Sequence, residues 1–323
     1  MGQVINGEWV SDDSYQYCGN NTHYIRQEIL DSASLTEEEL DTDDLVVSPG
    51  RYVLYSSLAS PMGHACVIFR TLKRLERVIG LCLVYSVKKQ HGWEFHRTDV
   101  GTNDKYNSFT YLHEIYTASE GEYSGGATVP VLWDTRTKKI VSNDPEHILR
   151  ILNSKFNHLT EQEHDYYPEE YREQIDRFNH IISEDLYQAI YQCAFADKQD
   201  FYESCIERIF SALEELDALL EHRQVLLGSR ICESDWRLFV LLIRFDAVFY
   251  PLFKVNKKRI EDYKYLHDYV GYLYQEKYIG CTVNIEHIKQ HYYMSYRQLN
   301  PNGIIPVGPD VHFDYLYSRF SLF

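Results

Sequence analysis

The stretch from Arg51 to Arg70, RYVLYSSLASPMGHACVIFR, constrains this chain more than any other. A short apolar run, Tyr52 to Ser56, passes through a tight turn into a pattern in which Ala65, Ile68, Phe69, Leu72 and Leu75 recur at helical spacing. Ser60 falls at the N-cap of that helix and Pro61 at its first turn, where a missing N–H and a fixed φ cost nothing. If the apolar face of the helix packs back onto the strand, position 60 lies over unpaired backbone N–H groups at the positive end of the helix dipole. A thiolate or another anion is stabilised at such a place. The plain alternative is that Ser60 caps the helix and does nothing else.

A chain of 323 residues has room for a large core and commonly divides into two domains. Asp and Glu number 48 against 32 Lys and Arg, and the net charge of −16 opposes broad attraction to nucleic acid or to an anionic membrane. No signal-peptide pattern and no apolar run near the ~18 residues of a membrane span is present, so a cytoplasmic protein is expected. The seven cysteines are scattered without a CxxC pair, which argues for reduced, buried thiols rather than disulfides or a zinc knuckle. Asn20-Asn21-Thr22 matches a glycosylation triplet but has no secretory context.

Residues 1–49 are polar, with an acidic run from Thr36 to Asp44, and predict an extended arm on the surface rather than a core element. Strand Tyr52 to Ser56, helix Pro61 to Val78 and strand Leu81 to Val87 form a βαβ unit. A helix from Phe109 to Ala118, strands Val129 to Asp134 and Lys139 to Ser142, and a helix from Asp144 to Leu152 complete a mixed sheet with helices on both faces. Pro130 opens its strand and is expected at an edge, a bend or a cis peptide. From Thr160 the pattern is helical: Pro168 to Ala196, Lys198 to His222, Glu233 to Leu252, Lys257 to Gln275 and Ile285 to Tyr293, rich in tyrosine. The segment from Asn300 to Pro309 predicts an ordered surface loop.

Laid out this way, the motifs resemble those of the xi-class glutathione transferases, the glutathionyl-hydroquinone reductases. The words that carry the likeness are RYVLYSSLASPMGH, Gly92-Trp93-Glu94-Phe95, TVPVLWD from Thr128, RFDAVFYPLFK from Arg244, HIKQHYY from His287 and NPNGIIPVGP from Asn300. The resemblance implies a thioredoxin-like domain over residues 50–155, an all-helical glutathione-transferase domain over 156–299, a tail over 300–323 and a homodimer. It also implies a cysteine that takes glutathione from a glutathionyl-hydroquinone as a mixed disulfide, and a cis Pro130 that presents the Val129 backbone to the thiol ligand.

Where the family writes Cys-Pro-Trp-Ala-His, this chain reads Ser60-Pro61-Met62-Gly63-His64, and a hydroxyl cannot enter thiol–disulfide exchange. Cys66 lies nearly two turns on, roughly 9 Å along the axis, and reads as a core residue. The resemblance places glutathione against Trp93, Val129 and Asp144. The family's Glu-Ser pair reads Asp144-Pro145 here, and an arginine before TVPVLWD reads Gly126. Losing one charge-assisted contact costs about 1.5 to 3 kcal/mol, roughly ten- to a hundredfold in affinity. The aromatic-acceptor pocket is carried by Tyr191, Phe249, which stands for a family tyrosine, and Tyr292. His287 and His291 are two possible ligands without a third, and no metal is expected. Cys232, three before Asp235, replaces the hydroxyl of a capping box, at a cost of about 1 kcal/mol.

Three functions fit these residues. One is a serine-type transferase, with Ser60 donating to the thiolate of glutathione or a similar small thiol and a quinone-like or other aromatic electrophile, or a hydroquinone, as the second partner. The second is a non-catalytic binding or sensing protein for quinone-like aromatic ligands. The third is a structural dimer on an old enzyme fold.

Overall fold

The computed structural model describes residues 2–11, 23–30, 45–98 and 100–313. Cys18, the Asn20-Asn21-Thr22 triplet, the acidic run from Thr36 to Asp44 and the last ten residues of the tail lie outside the described residues. The chain divides into two compact units, Met1–His164 and Asp165–Phe323.

The first unit is built on a four-stranded sheet of order β4-β3-β5-β6, with β3 Tyr52–Ser56, β4 Ile79–Leu83, β5 Val131–Asp134 and β6 Lys139–Ser142. β3 is parallel to β4 and antiparallel to β5, and every one of its residues is buried, as a central strand covered on both faces requires. Helices α1 Pro61–Leu72 and α3 Pro145–Ser154 pack together, and a single-turn α4 Asn157–Thr160 follows α3. Helix α2 His113–Ser119 joins Val53, Tyr55, Val131 and Trp133 in a separate cluster. The β-α-β-α-β-β-α order expected from the sequence is present, as a thioredoxin-like domain.

The junction of α1 and β4 lies earlier than the expected helix to Val78 and strand from Leu81, and α2 starts at His113 rather than Phe109. α1 stops at Leu72 because Arg74 turns left-handed, with φ 52°, and the chain passes through a 3-10 turn, Leu75–Arg77, into β4. Arg70 secures that connection by donating to the Ile79 and Glu76 carbonyls, at 2.8 and 3.1 Å. Gly63 lets α1 approach the turn before it: a Cβ there would lie 2.9 Å from both Ser56 Oγ and the Ser57 carbonyl oxygen. At the opposite end of the sheet the Arg51 guanidinium forks onto the buried Asp134 carboxylate at 2.7 and 2.9 Å.

The N-terminal arm is not merely a surface cover. Strands β1 Gly2–Ile5 and β2 Glu8–Ser11 form a hairpin through Asn6-Gly7, both at positive φ, and Val4 is fully buried in the cluster with Trp93 and Tyr116. Val4 exchanges two backbone hydrogen bonds with Gly125, each 2.9 Å, and Trp9 stacks on His113 with centroids 4.8 Å apart. Further on, the Gln27 N–H donates to the Val141 carbonyl and the Ile25 N–H to Asn143 Oδ1, so this segment covers the β6 edge. Polarity hid this role, because an edge-covering segment needs backbone donors and acceptors rather than an apolar period.

The second unit is helical, consistent with the expected all-helical domain. α5 Arg172–His180 runs through a π-helical segment, Ile181–Gln188, into α6 Ala189–Ala194. Then follow α7 Gln199–Leu220, α8 Glu233–Arg244 with a second π segment at Phe245–Phe249, α9 Lys264–Gln275 and α10 Ile285–Ser295. All twelve residues of α8 are buried. Asp235 in its first turn accepts from the Cys232 N–H at 2.8 Å, the Leu226 N–H at 3.0 Å and the Tyr269 hydroxyl at 2.9 Å. The carboxylate half of that capping box is thus intact, with a thiol in the other half.

Candidate functional site

In the first unit the strand register decides which residues meet. Tyr55 stands opposite Val131, Ser56 opposite Leu83, and Leu132 opposite Ser142. The exits of β3, β4 and β6 and the entry of β5 therefore share one end of the sheet, and each predicted thiol-site residue lies on a segment leaving that end. Ser60 follows β3, Trp93 follows β4, Val129 precedes β5 and Asp144 follows β6.

Ser60 is the N-cap of α1, with extended backbone (φ −73°, ψ 127°) and Pro61 behind it. Its hydroxyl accepts from the Gly63 N–H at 3.4 Å, a long and weak capping bond. Half-buried at the positive end of a twelve-residue helix, it keeps the capacity to donate its own proton. Val129 leads into a cis bond with Pro130, as expected from the sequence. Among the described residues nothing accepts from the Val129 N–H or donates to its carbonyl. That is an open backbone donor and acceptor side by side, the arrangement that pairs with an extended peptide. Trp93 is buried in one cluster with Val129 and Tyr55, and the Lys88 ammonium lies 4.7 Å from its ring centroid.

Asp144 caps α3, accepting from the Glu146 N–H at 3.1 Å, and its other oxygen pairs with Arg26 Nε at 2.5 Å. Pro145 at the first position of α3 offers no N–H. Cys66 is fully buried on α1, its sulfur 3.9 Å from the Pro145 carbonyl oxygen, which matches its reading as a core residue. The other described cysteines, Cys82, Cys193, Cys205, Cys232 and Cys281, are thiols as well, and only Cys281 is exposed. Burial pushes the Cys82 thiol up to about 11 and Cys193 up to about 12, so neither is a ready thiolate.

In the second unit Tyr191, Phe249 and Tyr292 come together from α6, the second π segment and α10. Phe249 lies 6.4 Å from Tyr191 and 5.7 Å from Tyr292 between ring centroids, in edge-on contacts. The Tyr191 and Tyr292 hydroxyls are hydrogen-bonded at 2.8 Å. Phe253 packs on all three rings at 5.3 to 5.6 Å, and Tyr296 stacks on Tyr292. His287 and His291 are both buried, and His291 Nδ1 is 3.3 Å from Ser295 Oγ. Among the described residues no group of three or more His, Cys, Asp or Glu side chains is placed to hold a metal ion. None of the described helices is long and apolar enough to cross a membrane.

Three residues escaped the sequence reading. Arg26 sits in a polar arm that carries no period, Lys88 had only a strand-end position, and Arg244 was quoted within a motif without a role. Arg244 had one readable signal: an arginine inside the otherwise apolar run from Leu238 to Phe245 is costly to bury unless it has work to do.

Comparison with known proteins agrees with this fold. Residues 199–271 match the glutathione S-transferase C-terminal domain. The chain is 39% identical over 309 residues to the glutathionyl-hydroquinone reductase PcpF of Sphingobium chlorophenolicum, covering 96% of each chain. It is 35% identical to the glutathionyl-hydroquinone reductase YqjG of Escherichia coli, over 96% of this chain and 95% of the relative. The xi-class transferase of Natrialba magadii superposes with a TM-score of 0.91 at 32% identity, over 99% of this chain and 97% of that one. The glutathione-bound structure of YqjG gives a TM-score of 0.89 at 34% identity over the full length of both. Matched end to end at these identities, and with the same two-part architecture, the chain belongs to the xi-class glutathione transferases, the family of the glutathionyl-hydroquinone reductases.

Proposed function

We propose that this protein is a serine-type thiol transferase that joins glutathione to quinone-like or other aromatic electrophiles, and that it does not run the cysteine-dependent reduction of glutathionyl-hydroquinones. The observation that carries the reading is the open backbone of Val129 beside the cis Pro130, at the sheet end from which the half-exposed Ser60 also emerges. The cysteinyl part of glutathione pairs with Val129, and its sulfur lies over the α1 N-terminus. There the helix dipole and the Ser60 hydroxyl, turned to donate, favour the thiolate. The thiol proton leaves to solvent and the sulfur adds to a ring carbon of the quinone. The electron pair passes to one quinone oxygen, which takes up a proton, and the attacked carbon then loses its hydrogen as a proton while the second oxygen gains one, which restores the ring as the hydroquinone thioether. Ser60 is not consumed, and no sulfur at position 60 is needed.

Trp93 and Asp144 hold the rest of the tripeptide, and Tyr191, Phe249 and Tyr292 hold the aromatic partner. The Asp144 carboxylate already serves Arg26 and the α3 N-terminus, which favours weak glutathione binding and lends support to a second reading, a binding protein for quinone-like ligands. Thermal shifts separate the two, because a ligand stabilises by mass action. Stabilisation by both glutathione and a hydroquinone supports the transferase; silence with glutathione and a response to the hydroquinone leaves the binding protein. Glutathionyl-hydroquinone reduction should be negligible and should rise measurably in Ser60→Cys. A wild-type rate that vanishes in Cys66→Ala would show that the nucleophile had been misassigned.

A further inference from the structure

Arg26 stands on the arm segment that runs along the β6 edge, paired across to Ser142, and its Nε donates to Asp144 Oδ2 at 2.5 Å. Among the described residues nothing accepts from its two terminal nitrogens. The arginine side chain is 60% exposed, the carboxylate it touches only 8%. We propose that Arg26 is a specificity-determining residue of the thiol site: its terminal N–H groups take the α-carboxylate of a γ-glutamyl thiol whose ammonium meets Asp144. The proposal rests on the reading of Asp144 as a glutathione contact.

Arginine and a carboxylate commonly pair through two parallel N–H···O bonds. Here only one is made, because Asp144 Oδ1 faces the Glu146 N–H at the start of α3, at 3.1 Å. The other acid on this part of the arm, Glu28, faces His147 and Lys155 at 3.7 and 3.6 Å rather than Arg26. The Tyr24 ring flanks the guanidinium, its centroid 5.7 Å from Cζ. Arg26 is thus tied down by one nitrogen and one ring, with a fork of donors left over beside Asp144.

The γ-glutamyl end of glutathione is an α-amino acid, with an ammonium and a carboxylate on one carbon. Asp144 alone attracts the first and repels the second. Arg26 sets the opposite charge next to Asp144 before any ligand arrives, and its planar fork suits a carboxylate. The pairing weakens the pull of Asp144 on the ammonium, and the new carboxylate contact offsets that loss. Neither Pro145, which has no N–H, nor Gly126, which has no side chain, supplies such a contact. Arm and β6 edge together therefore select thiols that carry an α-amino acid end.

The test is calorimetry on the full-length protein with glutathione and with N-acetylcysteinylglycine, which keeps the cysteinyl amide and lacks the α-amino acid. The wild type should bind glutathione at least about tenfold more tightly than the truncated thiol. Arg26→Met should weaken glutathione about tenfold and leave the truncated thiol unchanged, and Arg26→Lys should keep part of the preference. A wild type that binds neither thiol defeats the glutathione reading itself. Equal wild-type affinity for the two thiols, or glutathione binding that is unchanged or stronger in Arg26→Met, overturns the role of Arg26 alone. A loss equal for both thiols overturns it as well, since Arg26 then does no more than secure the arm.

Discussion

The sheet end around Ser60 and the ring cluster around Tyr292 are built on opposite plans. Ser60, Val129 and Asp144 sit on connections, each held by its own local backbone, and the strand register brings those connections to one end of the sheet. Tyr191, Phe249 and Tyr292 are core residues of helices, at most 4% exposed, and each packs on the others and on Phe253. A change at the first place alters chemistry and leaves the fold nearly untouched; a change at the second must be absorbed by packing. Ser60 can therefore exchange with another small side chain at little structural cost, whereas a change at Phe249 must keep the volume of its ring.

The largest test of this contrast is Phe249→Ala, which should cost about 3 to 5 kcal/mol in urea unfolding, through lost burial and an unfilled cavity among four rings. A cost below about 1 kcal/mol would mean the cluster is loosely packed and closer to a pocket than to a core. Next comes pH. The unfolded chain protonates His287 near 6.5 while the folded chain resists down to about 4, so between those values the unfolded state holds the extra proton. Stability should fall with falling pH in that window by at most about 1.4 kcal/mol per unit, and His287→Gln should flatten the slope.

Ser60→Ala should cost only about 0.5 to 1 kcal/mol, the low end for an N-cap, because its bond to the Gly63 N–H is long. Any glutathione-dependent activity should drop far more than stability does. Equal losses in both would place Ser60 with the structural caps. Smallest is Arg26→Ala. Its ion pair with Asp144 is 60% exposed on the arginine side and should contribute about 0.2 to 1 kcal/mol, less at high salt. If glutathione binding strengthens in this variant, Arg26 competes for the Asp144 carboxylate; if it weakens, Arg26 helps to shape the site.

The sequence by itself determined the order of the sheet strands from Tyr52 onward and of the main helices, because periods of 2 and 3.6, the Ser60-Pro61 start and the breaks at glycine and proline are local signals. It also marked Ser60, Trp93 and Val129 through long motifs, and it foresaw the cis bond at Pro130. What it could not carry were partnerships between distant residues. Val4 reads as one apolar residue in a polar arm until Gly125 pairs with it, and Arg26 as one charge among many until the arm lies along β6 and meets Asp144 across 118 positions. The Tyr191–Tyr292 hydroxyl pair spans 101 residues. Local pattern fixes which residues form an element, but only packing decides which side chains face each other, and the polar contacts of both candidate regions arise at that second step.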